Sequence, residues 1–326
     1  MARLAVLGAG AWGTALAVQA ARAGRQVTLW ARDPARAAAI AATRENALHL
    51  PGIALPEAIG VTADPAAALR GAEIAILGVP VQPLRGVLAG LPATAVPLVT
   101  IAKGVELETL RFPLEIVAAL RPGLPVAVLS GPNFAHEVAA GLPAAAVLAS
   151  HDAALRHRAA ELLATPAFRL YGSDDPIGVQ VGGAAKNVIA IAAGVVIGAG
   201  LGENARAALV TRGVAELSRL ALALGGRAET AAGLSGLGDL LLTATGGSSR
   251  NFSLGLALGR GRTLAEVLAE RTGVTEGVAT APALVARARQ AGVELPVCEA
   301  VADLLAGRLT VAEAMHRLLA RPRRDE

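Results

Sequence analysis

Short apolar runs alternate with helical patterns along the first half of the chain. The runs show no polar alternation, which is typical of strands buried on both faces of a sheet. The segments between them have apolar residues at helical spacing and begin with Asp or Ser, which cap helix N-termini. The pattern predicts strands at residues 3–8, 26–31, 73–79, 96–103, 125–131, 143–149 and 168–173.

The alternating pattern ends near Pro176. Beyond it, Ala- and Leu-rich segments separated by Gly-rich turns indicate helices, and no alternating strand pattern follows. At 326 residues the chain is long enough for two domains that each bury a core. We predict an α/β domain at residues 1–175 and an all-helical domain at 176–326, with helices at 177–199, 203–224, 251–259, 278–290 and 296–306.

The chain begins with an apolar stretch that allows two interpretations. A basic residue followed by an apolar run resembles a secretory signal. A strand, a glycine turn and a helix explain the same residues, and we favour them because a second strand follows on schedule. Elsewhere, the uncharged run 187–202 contains four glycines and falls short of the ~20 apolar residues that span a bilayer. We therefore expect no membrane span.

Composition and charge narrow the function classes. The formal net charge is only +4, and the sequence pI is about 10.1 because few groups other than arginine titrate above neutral pH. Aromatic residues make up 2% of the chain and no basic tract is longer than the terminal RPRRDE, so we expect no nucleic-acid binding. A single cysteine, Cys298, excludes an intramolecular disulfide and multi-cysteine zinc sites. We expect a cytoplasmic protein and no metal.

The stretch GAGAWG matches G-x-G-x-x-G between a predicted strand and a predicted helix. In that context Gly8 makes the tight turn, Gly10 lets the backbone approach a pyrophosphate, and Gly13 lets helix and strand pack closely. The N–H groups at the start of the helix point at the phosphates. The motif predicts a Rossmann-type, doubly wound, mostly parallel sheet that binds a dinucleotide.

The end of the second strand should contact the ribose of that dinucleotide. Arg32 favours a 2′-phosphate, whereas Asp33 could accept a hydrogen bond from a 2′-hydroxyl or cap the helix that begins at Pro34. We therefore favour NADP(H) and leave NAD(H) open.

Only two of the 30 Lys and Arg residues are lysine, Lys103 and Lys186. An amine can release and regain a proton, whereas arginine stays protonated, so both lysines are candidates for proton transfer. Lys103 ends a predicted strand, at the sheet edge where ligands bind. Lys186 lies in the small, apolar run GGAAKNVIAIAAG, whose small residues we expect to let substrate and cofactor approach the amine. We expect Lys186 at the floor of an interdomain cleft.

The segment SGLGDLLLTATGGSSRN, residues 235–251, carries two further candidates. Asp239 is the only charge across residues 230–249, so we expect it to pair with Lys186. GGSSRN combines a flexible backbone, hydroxyls, an arginine and an amide at a predicted helix start, which suits a phosphate. In GPNFAHE, residues 131–137, Pro132 and Asn133 fit a helix start.

Together, GAGAWGTALA, VTIAKG, GPNFAHEVA, GGAAKNVIAIAAG, GLGDLLLTATGGSSRN and VTEG resemble the bacterial NAD(P)-dependent glycerol-3-phosphate dehydrogenase family, from residue 3 to the MHRLL near the C-terminus. The resemblance implies that Lys186 transfers the proton, and we expect Asp239 and Asn187 to orient the amine. It implies substrate contacts at Lys103, Gly131, Asn133, Lys186, Asp239, Ser249, Arg250 and Asn251. It implies cofactor contacts at Ala11, Trp12, Arg32, Lys103, Ala135, Arg250, Val274 and Glu276.

The implied reaction interconverts dihydroxyacetone phosphate and sn-glycerol 3-phosphate and supplies glycerophospholipid synthesis. One position departs from the family pattern, because Asn133 stands where Ser or Thr is usual. The alternatives are a two-domain 3-hydroxy-acid or sugar-acid dehydrogenase and a non-catalytic NADP(H)-binding regulator. Helical second domains of this kind often dimerise, so a homodimer is a candidate assembly.

Overall fold

A computed structural model describes residues 1–247, 249–271 and 273–320. The chain divides into two compact units. The first comprises residues 1–103 and 112–179, and the second comprises residues 104–111 and the chain from residue 180 onward. The division falls inside the helix that begins at Pro176, and the short segment 104–111 groups with the second unit.

The first unit is built on an eight-stranded sheet. Among the described residues, the ten strands are β1 Arg3–Leu7, β2 Gln26–Trp30, β3 Glu45–Asn46, β4 Leu50–Ala54, β5 Ile59–Thr62, β6 Ile74–Leu77, β7 Leu98–Thr100, β8 Val126–Ser130, β9 Ala144–Ala149 and β10 Phe168–Ser173. The strands of the large sheet run in the order β10-β9-β8-β7-β6-β1-β2-β5, and every neighbouring pair is parallel except β8 and β9. Strands β3 and β4 form a separate antiparallel pair.

The predicted fold class is confirmed, and each of the seven predicted strands is present within its predicted range. Three strands were missed. Strand β5 lies at the sheet edge and is partly exposed, and β3 and β4 form a short hairpin interrupted by Pro51 and Gly52. Edge strands and short hairpins lack the continuous apolar run that marks a buried parallel strand.

Alternate residues of the central strands face two different apolar cores. In β1, Leu4 and Val6 pack into one core, and Ala5 and Leu7 pack into the other. Both faces are covered, because successive side chains of a strand point to opposite sides of the sheet. The helices of this unit are α1 Ala11–Arg22, α2 Pro34–Thr43, α3 Pro65–Leu69, α4 Val81–Gly90, α5 Pro113–Leu120, α6 Ala135–Ala140 and α7 Ala153–Leu163.

From Pro176 to the end of the described residues, the regular elements are helices joined by turns, and no strand is present. The helices are α8 Pro176–Gly198, α9 Gly202–Ala223, α10 Ala228–Ala232, α11 Asp239–Thr245, α12 Arg250–Gly259, α13 Leu264–Ala269, α14 Glu276–Gln290, α15 Pro296–Leu305 and α16 Val311–Leu319. All five helices predicted for this region are present, and α10, α11, α13, α16 and a π-helical turn at Leu234–Gly238 were not predicted.

Helix α8 is apolar enough, by length and composition, to cross a membrane. Its most apolar window has a mean hydropathy of 1.7, yet 89% of that window is buried inside the protein. Burial of this kind is what a central helix of a folded helical unit requires.

Helices α8 and α12 cross at glycines on both sides. A Cβ on Gly255 would lie 1.9 Å from the carbonyl oxygen of Ile191, and one on Gly194 would lie 2.1 Å from that of Phe252. Only hydrogen fits at these positions, so the two backbones are in direct contact.

We therefore expect Gly255→Ala to destabilise the protein by roughly 1–3 kcal/mol or more, because the added methyl must push two backbones apart. The matched control is Gly86→Ala in α4, where a Cβ meets nothing within 4 Å. That change should be neutral or stabilise the helix by up to about 1 kcal/mol. Urea unfolding of both variants is the measurement, and wild-type stability in Gly255→Ala would contradict the packing argument.

A buried carboxylate joins α9 to the start of α15. Glu216 is 3% exposed and accepts hydrogen bonds from the backbone N–H of Val297 (2.6 Å) and of Cys298 (3.2 Å). These N–H groups lie in the first turn of α15, where no intrahelical acceptor exists. Burial is the largest influence and raises the pKa of Glu216 to about 7, although the two N–H bonds act in the opposite direction.

We expect a pH-dependent stability from Glu216. Its pKa is higher in the folded protein, at about 7 against a reference of 4.5, so the folded state binds the proton more tightly. The contribution of Glu216 to the free energy of unfolding is fully present below pH 4.5. It is lost as the pH rises through 7, and the total loss is about 3 kcal/mol.

The test compares the free energy of unfolding from pH 5 to pH 8 in the wild type and in Glu216→Gln. The glutamine variant should have a flatter profile, because it cannot titrate. Glu203→Gln changes an exposed carboxylate at the start of the same helix and should keep the wild-type slope. An unchanged slope in Glu216→Gln would show that Glu216 is not the titrating group.

Candidate active site

The glycine-rich loop between β1 and α1 has the geometry that its sequence predicts. Gly8 adopts φ +131°, and a Cβ there would lie 2.4 Å from the carbonyl oxygen of Gly78. A Cβ on Gly13 would lie 2.1 Å from the carbonyl oxygen of Gly8, so helix and turn pack closely. A Cβ on Gly10 would meet nothing within 4 Å. The backbone at Gly10 is therefore open to close approach by a ligand.

Helix α1 begins at Ala11, directly after this loop, and its N-cap residue Gly10 provides no side-chain hydrogen bond. The first N–H groups of a helix lack intrahelical acceptors and carry the positive end of the helix dipole. An uncapped start behind an open glycine suits the pyrophosphate of a dinucleotide. Ala11 and Trp12 occupy the first turn, and the Trp12 ring packs beside Leu50 and Ala139.

Two polar side chains that the sequence analysis did not single out hold this loop. Arg36 donates to the carbonyl oxygen of Ala9 and to Asn46 Oδ1. Asn46 Nδ2 donates to the same carbonyl (2.9 Å) and to Thr14 Oγ1 (2.7 Å). Burial lowers the pKa of Arg36, and Asp33 partly offsets that effect. No sequence pattern marks these residues, because the contacts depend on how α2 and the β3–β4 hairpin fold back.

The predicted helix cap at Asp33 is confirmed just beyond the end of β2. Its Oδ1 accepts from the N–H groups of Ala35 (2.9 Å) and Arg36 (3.4 Å), so Asp33 caps α2. Arg32 is exposed beside it.

The ends of β7 and β8 bring three candidate residues together. Lys103 Nζ donates to the carbonyl oxygen of Gly131 at 3.5 Å. Gly131 adopts φ +151°, and a Cβ there would lie 2.9 Å from Ala146 Cα. Asn133 Nδ2 donates to the carbonyl oxygen of Ala145 (3.1 Å), and its buried Oδ1 has no protein partner among the described residues.

Strand β8 ends at Ser130, whose buried hydroxyl also has no protein partner in the part of the chain that the structure describes. Helix α6 begins at Ala135, four positions beyond Gly131. Unpartnered buried polar atoms cost free energy unless a ligand or water satisfies them. The carboxyl ends of β7 and β8 therefore offer hydrogen-bond acceptors and donors to a ligand.

In the second unit, the predicted pairing of Lys186 with Asp239 is confirmed. The Nζ atom of Lys186 lies 2.7 Å from Asp239 Oδ1, and the two side chains are 10% and 2% exposed. Lys186 Nζ also donates to Thr243 Oγ1 at 2.9 Å, and Thr243 donates to the carbonyl oxygen of Asp239 at 2.6 Å. Breaking a buried pair by removing one partner costs about 3–5 kcal/mol, so the ammonium is fixed in place.

Asn187 has a different role from the one expected. Its hydrogen bonds connect other residues: Oδ1 accepts from Asn251 Nδ2 (2.9 Å), and Nδ2 donates to Glu276 Oε2 (3.4 Å). Asn251 Oδ1 in turn accepts from the N–H of Gly277 at 3.1 Å. Asn187 therefore positions the starts of α12 and α14, and Thr243 takes the place beside the amine. The sequence offered a signal for Thr243, which lies one turn after Asp239 on the same helix face.

The small residues around Lys186 serve helix packing. A Cβ on Gly182 would lie 2.6 Å from the carbonyl oxygen of Ser235, in the π-helical turn that precedes Asp239. Gly194 meets α12 in the same way. Two small residues of this run, Gly182 and Gly194, therefore pack against neighbouring backbone. That the small residues let substrate and cofactor approach the amine stays a prediction.

The predicted helix start at GGSSRN is confirmed. Ser249 is the N-cap of α12, and its Oγ accepts from the N–H of Phe252 at 3.2 Å. Arg250 is exposed in the first turn and Asn251 is buried; Ser248 lies outside the described residues. Val274 is 59% exposed and Glu276 begins α14.

Comparisons with known proteins agree over nearly the whole chain. Residues 3–156 match the model of the NAD-dependent glycerol-3-phosphate dehydrogenase N-terminus, and residues 175–316 match that of its C-terminus. The chain is 59% identical to the glycerol-3-phosphate dehydrogenase [NAD(P)+] of Acidiphilium cryptum, over 99% of this chain and 98% of that protein. It is 54% identical to the Rhodospirillum rubrum protein of the same name, over 99% and 93%.

A solved structure also matches nearly the whole chain. The glycerol-3-phosphate dehydrogenase of Coxiella burnetii superimposes with a TM-score of 0.93 at 38% identity, covering 98% of this chain and 99% of that one. The resemblance inferred from the motifs is confirmed: the chain belongs to the NAD-dependent glycerol-3-phosphate dehydrogenase family.

Proposed function

We propose that this chain reversibly interconverts dihydroxyacetone phosphate and sn-glycerol 3-phosphate with NAD(P)H. Relatives that are 50–59% identical carry the name glycerol-3-phosphate dehydrogenase [NAD(P)+]. The observation that carries the proposal is the buried ammonium of Lys186, held between Asp239 and Thr243. A reaction that makes an alkoxide needs both a positive charge and a proton at that oxygen.

The proton is supplied by Lys186. Bound NAD(P)H supplies the hydride that adds to C2 of dihydroxyacetone phosphate. As the C2–oxygen double bond opens, its electron pair moves to oxygen, and Lys186 Nζ gives that oxygen a proton and becomes a neutral amine. Asp239 and Thr243 keep the amine in one position. In the reverse direction the neutral amine takes the hydroxyl proton back.

The remaining site residues are assigned roles in the same proposal. Lys103, Gly131 and Asn133 contact the substrate, as do Ser249, Arg250 and Asn251. The unpartnered Oδ1 of Asn133 supports its role, because it leaves an acceptor for a substrate hydroxyl. The cofactor is contacted by Gly8, Gly10, Ala11, Trp12, Gly13, Arg32, Lys103, Ala135, Arg250, Val274 and Glu276.

We also propose that the protein prefers NADP(H), is located in the cytoplasm and assembles as a homodimer. The sn-glycerol 3-phosphate that it produces supplies glycerophospholipid synthesis. Exposed Arg32, just beyond the end of β2, supports the cofactor preference. The single cysteine is buried, which suits a reducing compartment.

Lys186→Arg should keep the positive charge and lose at least about a hundredfold in kcat, because arginine does not release a proton. The assay follows NADPH and NADH oxidation with dihydroxyacetone phosphate, and with 3-oxo acids as non-phosphorylated comparisons. Circular dichroism melting confirms that the variant is folded. Near wild-type reduction by Lys186→Ala would disprove the proton-transfer role, and preference for a carboxylate substrate would disprove the proposed function.

Arg32→Ala should lower the ratio of kcat/KM for NADPH over NADH by about tenfold to hundredfold, since a charge-assisted bond to phosphate is lost. The KM for NADH should change little. Arg70→Ala removes another exposed arginine from the same unit and should leave the ratio unaltered. If Arg32→Ala also leaves the ratio of kcat/KM for NADPH over NADH unaltered, Arg32 does not bind a 2′-phosphate.

A further inference from the structure

Arg271 makes three hydrogen bonds that connect the first turn of α12 with the residue before α14. Its Nη1 donates to the carbonyl oxygen of Arg250 at 2.6 Å and to Thr275 Oγ1 at 3.3 Å. Its Nη2 donates to Ser253 Oγ at 3.0 Å. The planar guanidinium is suited to this work, because its N–H groups have fixed directions.

The acceptors lie at the starts of two helices. Arg250 and Ser253 belong to the first turn of α12, and Thr275 is the residue before α14. These turns adjoin the segments 249–251 and 274–276, which hold the proposed substrate and cofactor contacts. Arg271 therefore fixes the backbone of both segments with one side chain.

The charge of Arg271 has no acidic partner. All three of its acceptors are neutral, and no carboxylate lies within ion-pair distance of Arg271 or of Arg250 among residues 1–247, 249–271 and 273–320. Other arginines differ: Arg262 binds both oxygens of Glu270, and Arg308 binds Asp303.

The two unpaired guanidinium groups are close enough to affect each other. Burial and, secondarily, the charge of Arg250 lower the pKa of Arg271. Arg250 itself lies against Gly273, where a Cβ would come within 2.6 Å of its Nη1. Keeping two like charges together costs free energy, which an anionic ligand would recover.

We propose that Arg271 is a positioning residue of the phosphate site, which holds Arg250 by its backbone and adds a second positive charge, so that the site selects a phosphate monoester dianion. This inference rests on the proposed function. A phosphate monoester carries about −1.5 to −2 charges at pH 7, which matches two guanidinium groups, whereas a carboxylate carries one. The pair thus favours the phosphorylated substrate over an acid of similar size.

The test compares Arg271→Gln and Arg271→Lys with Arg262→Gln, which removes a nearby exposed arginine that has its own carboxylate partner. We expect Arg271→Gln to raise the KM for dihydroxyacetone phosphate by about tenfold to hundredfold and to keep kcat within about threefold. Arg271→Lys should recover part of the lost affinity, because lysine keeps the positive charge but lacks the planar set of N–H donors. Arg262→Gln should match the wild type.

Titration of the full chain with inorganic phosphate by calorimetry separates this inference from the proposed function. Weaker phosphate binding in Arg271→Gln, in parallel with the raised KM, supports the inference; unchanged KM and unchanged phosphate affinity overturn it. A wild type that binds phosphate but does not reduce dihydroxyacetone phosphate contradicts the proposed function alone. If Arg271→Gln does not fold, Arg271→Lys decides: a raised KM at retained kcat supports the inference, and wild-type values overturn it.

Discussion

The ion pair between Lys186 and Asp239 sets the arrangement of the helical unit. An ammonium in a long, apolar and buried helix is tolerated only if a carboxylate reaches it, and Asp239 does so at 2.7 Å. That distance requires the backbone of α8 to touch the turn before Asp239, which is why Gly182 faces the carbonyl oxygen of Ser235. The ion pair between Lys186 and Asp239 therefore depends on this close packing of the helix backbones.

Helix α8 also contacts the starts of the two helices α12 and α14. Its glycines bring α12 into backbone contact, and Asn187, the residue next to the lysine, bonds Asn251 and Glu276. The helix that carries the proposed proton donor thus also contacts the segments 249–251 and 274–276, which are proposed to hold substrate and cofactor. A site on a rigid element keeps its geometry better than one held by loops alone.

Local patterns were sufficient to predict the buried strands, the long helices, the glycine loop and the Lys186–Asp239 pair. The pair was predictable because each partner is an isolated charge in an apolar region, although 53 positions separate them. Arg36 and Arg271 could not be found that way, since they bond carbonyl and hydroxyl oxygens that no pattern marks. Asn187 was assigned to the wrong neighbour because adjacent residues on a helix point in different directions.

The division between lysine and arginine follows from what each position must do. Arg262 and Arg308 neutralise surface carboxylates, and Arg22 and Arg44 bind backbone carbonyl oxygens. Those positions need a permanent charge with fixed donor directions, which arginine supplies. Lys186, by contrast, lies beside the buried carboxylate of Asp239 on an apolar helix, where a group that can lose its proton is useful.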